Sequence, residues 1–171
     1  MSFRNVLSVL GGFLIILGAT MLLPLGCSLL YGEEDAAAFL LSFAVTCGSG
    51  ALLFFCFRPK EKQGILTHRE GFLIVSMGWI SAALFGSLPF MIQGVLPSFA
   101  DAFFETMSGF TTTGATVIRN IDPLPRGILL WRALAHWLGG MGIIILAVAI
   151  LPFLGVGGRQ LFKAEVPGPV K

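Results

Sequence analysis

The polar positions of this chain fall in short clusters, and the stretches between them are long and apolar enough to cross a bilayer. Four runs qualify: Val6 to Leu30, Ala36 to Phe57, Gly71 to Ile92 and Ile128 to Leu151. Each meets the roughly 20 apolar residues needed to span about 30 Å of hydrocarbon. The first two are joined by the acidic turn Gly32-Glu33-Glu34-Asp35 and predict a transmembrane hairpin over residues 1–57, with Pro24 near the outer end of its first helix. The last two flank DAFFETMSGFTTTGATVI, Asp101 to Ile118, which is too polar to cross and yet lies between spans. Its pattern predicts a short amphipathic helix over 98–110, then a loop of small residues over 111–116. Residues 71–156 therefore read as one unit: span, re-entrant helix, loop, span. A polar loop over 58–70 separates the hairpin from this unit, and 157–171 reads as a tail. The expected fold class is an all-α membrane protein.

Composition supports the membrane setting. The 171 residues are 56% hydrophobic and only 12% charged, with a mean hydropathy of +0.89, whereas soluble domains carry roughly 25% charged residues. The net charge of +2 is too small to point to nucleic acid, but its distribution orients the chain. Arg4, Arg58, Lys60, Lys62, Arg69, Arg159, Lys163 and Lys171 fall on one side of the predicted layout, and only Arg119 and Arg126 on the other. The positive-inside rule then puts both termini in the cytoplasm. Glu33, Glu34, Asp35, Asp101, Glu105 and Asp122 face outward in this arrangement, a negative bias that would draw in cations. A plain acidic loop at Glu33 to Asp35 is the alternative. The apolar run before Cys27 is longer than a signal-peptide core, and Pro24 stands where a lipoprotein cleavage site wants Leu, so no cleavage is expected. Cys27, Cys47 and Cys56 are odd in number, have no His or carboxylate at ligand spacing, and read as buried small side chains.

The candidate chemistry lies in the re-entrant segment. Bare backbone at membrane depth is tolerated only where protein buries it or it lines a water-filled path, and rings of carbonyls suit a desolvated cation. Thr111, Thr112, Thr113, Gly114 and Ala115 are thus candidate cation ligands, with Gly114 free to take backbone angles closed to other residues. An ordinary loop between two helices is the competing reading. Ser98 is placed to cap the re-entrant helix, with Asp101 answering three residues later. Asp101 and Glu105 lie at i, i+4 near its positive end, and its negative end near Phe110 would point toward a bound cation. Arg132 and His136 are ionisable groups inside an apolar run. Arg132 either pairs with a carboxylate such as Glu105, tuning cation passage, or snorkels to the interface. Gly139, Gly140 and Gly142 favour close helix packing. Trp79, Trp131 and Trp137 read as interface anchors or packing residues, and the phenylalanines as lipid-facing surface. For catalysis the best available pair is Ser108 with His136, but no Gly-x-Ser-x-Gly, metal-ligand or phosphate-loop pattern accompanies it. No enzyme activity and no cofactor are expected.

Several motifs in fixed order carry a more specific signal: FFETMSGFTTTGATVI, then LPRGILLWRALAHWLGGMGIIILAVAILPFLGVGG, then LFKAEVPGP, with REGFLIV upstream. Together they resemble bacterial Trk-type potassium uptake proteins, the TrkH/TrkG group of the Trk/Ktr/HKT superfamily, over nearly the whole chain. In that family four span, pore-helix, span repeats enclose one pore, behind an additional N-terminal hairpin. The resemblance implies K⁺ as the transported ion, bound at a filter to which Thr111 to Ala115 contribute one quarter. Gly114 matches the family's filter glycine, and a serine there goes with sodium permeation in plant relatives. It also implies location in the bacterial inner membrane among lipid, homodimers of the full-length protein, and a cytoplasmic nucleotide-binding regulatory subunit of the TrkA type. The departure is length: one repeat is present and no second Thr-Gly filter segment follows. A fragment or truncation completed by the remaining three repeats is the expectation, with four copies of a short subunit, or a membrane assembly protein without transport, as alternatives.

Overall fold

The computed structural model describes residues 3–58 and 68–150, and within them every regular element is a helix. The first apolar run is two helices, α1 (Phe3–Thr20) and α2 (Leu22–Tyr31). The break at Met21 follows from Pro24, which has no N–H to give the carbonyl of Thr20 and whose ring would crowd it. The chain adapts by tightening: the Met21 N–H reaches the Gly18 carbonyl at 2.9 Å, and the Thr20 hydroxyl donates to Leu17 at 2.7 Å. Gly32, at φ 66°, ends α2 in a left-handed turn, with the Glu33 N–H returning to the Ser28 carbonyl at 3.0 Å.

Helix α3 (Ala36–Cys56) runs back along α1 at a distance only small residues allow. A Cβ on Gly50 would stand 2.8 Å from the Gly11 carbonyl oxygen, and one on Gly11 would stand 2.7 Å from that of Gly50. Such glycine contacts replace the hydrophobic drive that lipid removes. The three cysteines depart from their expected burial: Cys27 and Cys47 are half-buried and Cys56 is exposed, although the Cys47 thiol faces α1, where it lies 3.6 Å from the Ile15 carbonyl.

Helices α4 (His68–Gly86) and α5 (Leu88–Ile92) divide the next apolar run at Ser87, again just ahead of a proline, Pro89. The re-entrant helix α6 (Phe99–Phe110) packs between α4 and the long α7 (Arg126–Ile150). Among the described residues, four helical runs are long and apolar enough to cross a membrane: Phe3–Tyr31, Ala36–Cys56, Arg69–Ile92 and Arg126–Ile144. Each overlaps one of the four runs read from the sequence. Most of the polar loop, residues 59–67, and everything from Leu151 onward, including LGVGG and the tail, lie outside the described residues.

The core gathers beneath α6. Phe39, Phe90 and Phe110 are buried in it rather than facing lipid, because they stand where helices cross. Trp131 is wholly enclosed: its indole N–H donates to the Gly86 carbonyl at 2.9 Å, beside the α4/α5 break, and its ring meets Phe110 edge-on with centroids 6.3 Å apart.

The acidic turn is not a simple outward loop. A Glu33 carboxylate oxygen accepts the Arg126 backbone N–H at 2.6 Å, satisfying a donor that the first turn of α7 cannot pair internally. The Arg126 guanidinium lies 3.9 Å from the centre of the Tyr31 ring, a cation–π contact. Asp35 is fully buried, its carboxylate set against Gly127, where any Cβ would overlap it. Of the acids expected on the outer surface, Asp35 and Glu105 are therefore interior. Glu33 is committed to clasping the hairpin onto α7.

Candidate functional site

Helix α6 enters from Ser98, whose extended backbone (φ −76°, ψ 126°) makes it the N-cap residue, although its hydroxyl makes no capping bond. Asp101 is exposed in the first turn and does not complete a capping box. The helix unwinds at Phe110 in a tight sequence of bonds. The Thr111 N–H reaches the Met107 carbonyl at 2.8 Å, Thr112 reaches Gly109 at 2.9 Å, and Thr113 reaches Ser108 at 2.9 Å.

The backbone then alternates in hand. Thr112 has φ 56°, Thr113 does not share a positive φ, and Gly114 has φ 77°. These changes of hand end the helix, and among the described residues no backbone N–H donates to the carbonyls of Thr111 to Gly114, which leaves those oxygens free of any regular ladder. A threonine in the left-handed region is strained, at about 1–2 kcal/mol. Nothing lies within 4 Å of where a Gly114 Cβ would be, so conformation rather than crowding selects glycine there. All residues from Thr111 to Val117 are exposed on this surface.

Hydroxyl oxygens contribute less than the threonine run suggested. Thr111 Oγ1 donates to the Met107 carbonyl at 2.8 Å and lies 2.8 Å from Thr113 Oγ1, so both are engaged locally. The Ala115 carbonyl accepts the Ser108 hydroxyl at 2.6 Å, anchoring the returning strand to α6.

Behind the turn lies an ion pair that gathers three segments. Glu105, on the inner face of α6, is 5% exposed. Its carboxylate accepts the Thr116 hydroxyl at 2.9 and 3.0 Å and the Val117 N–H at 3.0 Å. From α7, Arg132 reaches it with Nε and Nη2, each 2.9 Å from Oε1. Arg132 is thus paired with Glu105 rather than extended to the interface. His136 Nδ1 lies 2.9 Å from the Arg132 carbonyl, and Ser108 is bonded to Ala115, so the serine and histidine weighed as a catalytic pair are each engaged elsewhere. Asp101 takes no part in this cluster.

The family model described as a TrkH cation transport protein matches residues 36–171. The chain belongs to the TrkH family. It is 49% identical to the Trk system potassium uptake protein TrkH of Halomonas elongata, and 46% identical to that of Escherichia coli strain K12, over 100% of its own length and 35% of theirs. The chain therefore spans about a third of the length of these curated relatives. The crystal structure of the potassium transporter TrkH from Vibrio parahaemolyticus superposes with a TM-score of 0.85 at 45% identity, covering 92% of this chain and 34% of that one.

Within this TrkH-family chain, one glycine fixes the depth of the re-entrant helix. A Cβ on Gly139 of α7 would overlap the backbone carbonyl of Phe110, whereas one on Gly140 would meet only Thr112 Cγ2, at 3.9 Å. Gly139→Ala must push the end of α6 away from α7, at about 1–3 kcal/mol. The expected result in the full-length protein is cation uptake lowered roughly 5- to 150-fold, with a lower thermal midpoint in detergent, while Gly140→Ala stays close to the parent in both. The sequence had marked both glycines for packing, and their spacing alone does not say which one meets the backbone. Ser108, Thr116 and the Val117 N–H were missed as supports because nothing local distinguishes them.

Proposed function

We propose that this chain supplies the N-terminal hairpin and one wall of a K⁺-selective pore, with carbonyls of the segment Thr111 to Ala115 replacing part of the ion's hydration shell. The observation that carries this reading is the run of carbonyls from Thr111 to Gly114 that no backbone N–H uses among the described residues, exposed on one side and held from behind by the Glu105–Arg132 pair. A polar surface of this kind cannot face lipid. It requires further pore walls, and the relatives, roughly three times as long, are named as potassium uptake proteins. The remaining three repeats of a longer protein are the walls that fit.

The division into hairpin (1–57), loop (58–70), pore unit (71–156) and tail (157–171) is part of the same reading, as is placement in the bacterial inner membrane with both termini cytoplasmic. Exposed Arg4, Arg58 and Arg69 stand on the inner side of that layout. The one described basic group on the outer side besides Arg119, Arg126, is folded onto Tyr31. The negative end of α6 near Phe110 favours a cation below the turn. A cytoplasmic nucleotide-binding subunit and a homodimer of the full-length protein complete the proposed assembly.

The test is growth of a potassium-uptake-deficient bacterium on limiting K⁺, with the full-length gene carrying this sequence. Rescue on limiting K⁺, and accumulation of the K⁺ analogue Rb⁺, are the expected results. A well-expressed, membrane-inserted product that gives neither would exclude K⁺ conduction.

A further inference from the structure

Helices α1, α4 and α7 border an open-sided cavity of about 470 Å³ beneath the end of the re-entrant helix. Leu10, Phe13 and Leu17 line it from α1, Ile74 and Trp79 from α4, and Phe110 closes it above. Its residues belong to the middle of membrane-crossing runs, where the surrounding medium is hydrocarbon and not water. The charges at one end are equally informative. Helices α1 and α4 start on the same side of the bundle, and Arg4 and Arg69 each precede by five residues the first lining residue of their helix, Val9 and Ile74. That offset is about 7.5 Å along a helix axis.

Both arginines are exposed, and neither forms an ion pair among the described residues. Glu70, next to Arg69 in sequence, is buried and already engaged. Guanidinium groups hold phosphate through paired N–H donors, and basic groups at the cytoplasmic ends of helices recruit anionic lipid. We infer that the cavity takes one acyl chain of an anionic phospholipid, phosphatidylglycerol, whose phosphate is held at the Arg4 and Arg69 end. Assignment to the cytoplasmic leaflet rests on the orientation proposed above. The bound chain would fill the space under Phe110 and brace the end of α6 against α4.

Native mass spectrometry of the purified full-length protein, titrated with phosphatidylglycerol or phosphatidylethanolamine, tests this without reference to K⁺ flux, so failure of the conduction reading leaves it intact. The expected result is preferential retention of phosphatidylglycerol, weakened roughly tenfold or more in the Arg4→Ala/Arg69→Ala double variant. Gly78→Leu should also lower retention, since Gly78 lines the cavity and nothing lies within 4 Å of its Cβ position. Retention unchanged in both variants would overturn the proposal. So would a benzophenone attached through Gly78→Cys, in protein whose other cysteines are replaced by Ser, that cross-links to a protein segment instead of lipid, because another helix would then fill the cavity.

Discussion

Gly114→Asp is expected to abolish K⁺ uptake while leaving the protein in the membrane. Two costs combine at this position. Any L-residue must adopt φ 77° there, at about 1–2 kcal/mol, a factor of roughly 5–30 in the population holding that geometry. The carboxylate then adds a fixed charge beside the carbonyls proposed to bind and release the ion, and conduction needs binding weak enough to release. Gly114→Ala separates the two terms. Its Cβ enters open space, so only backbone strain acts, and uptake should fall by the same 5- to 30-fold factor, about, without being lost. Gly114→Ser adds a hydroxyl to that strain and should shift preference from K⁺ toward Na⁺. Rb⁺ and Na⁺ flux into proteoliposomes checks all three. Wild-type flux in Gly114→Asp would remove this segment from the ion path.

The second large effect is expected at the pair behind the turn. Arg132→Ala leaves the Glu105 carboxylate buried beside Thr116 and Val117 without its counter-charge, and breaking one side of such a pair costs about 3–5 kcal/mol. The variant should show a strongly lowered thermal midpoint and little or no uptake. Glu105→Gln/Arg132→Met removes both charges and keeps much of the volume. It should recover a good part of the lost stability, because paired burial and its desolvation cost disappear together. Uptake should recover less, since the Thr116 hydroxyl and Val117 N–H lose a charged acceptor that holds them. A midpoint and flux unchanged in Arg132→Ala alone would mean that the pair is not a clamp.

The spans were legible because the lipid requirement is redundant: some 20 residues vote for each helix, and single polar residues do not change the outcome. The breaks were only partly legible. Pro24 was visible in its run, yet the sequence does not say whether a helix bends or restarts, and the equivalent role of Pro89 at Ser87 went unnoticed. Burial of individual carboxylates was not legible at all. Glu33 finds its partner 93 positions away and Glu105 finds Arg132 27 positions away. Glu105 was already a candidate partner for Arg132, but only the fold decides between that pair and snorkelling. The threonine hydroxyls illustrate the opposite limit. Their residue type suggested ion ligands, whereas the unwinding end of α6 captures Thr111 and Thr113 for itself, leaving the backbone as the element able to face an ion.

The most direct measurement is anomalous X-ray scattering from crystals of the full-length protein soaked in Rb⁺. A peak on the exposed side of the Thr111 to Ala115 backbone, within about 3 Å of its carbonyl oxygens and displaced by excess K⁺, is the expected result. Ordered density for this segment with no Rb⁺ beside it, in protein that transports Rb⁺, would contradict the assignment of these residues to the filter.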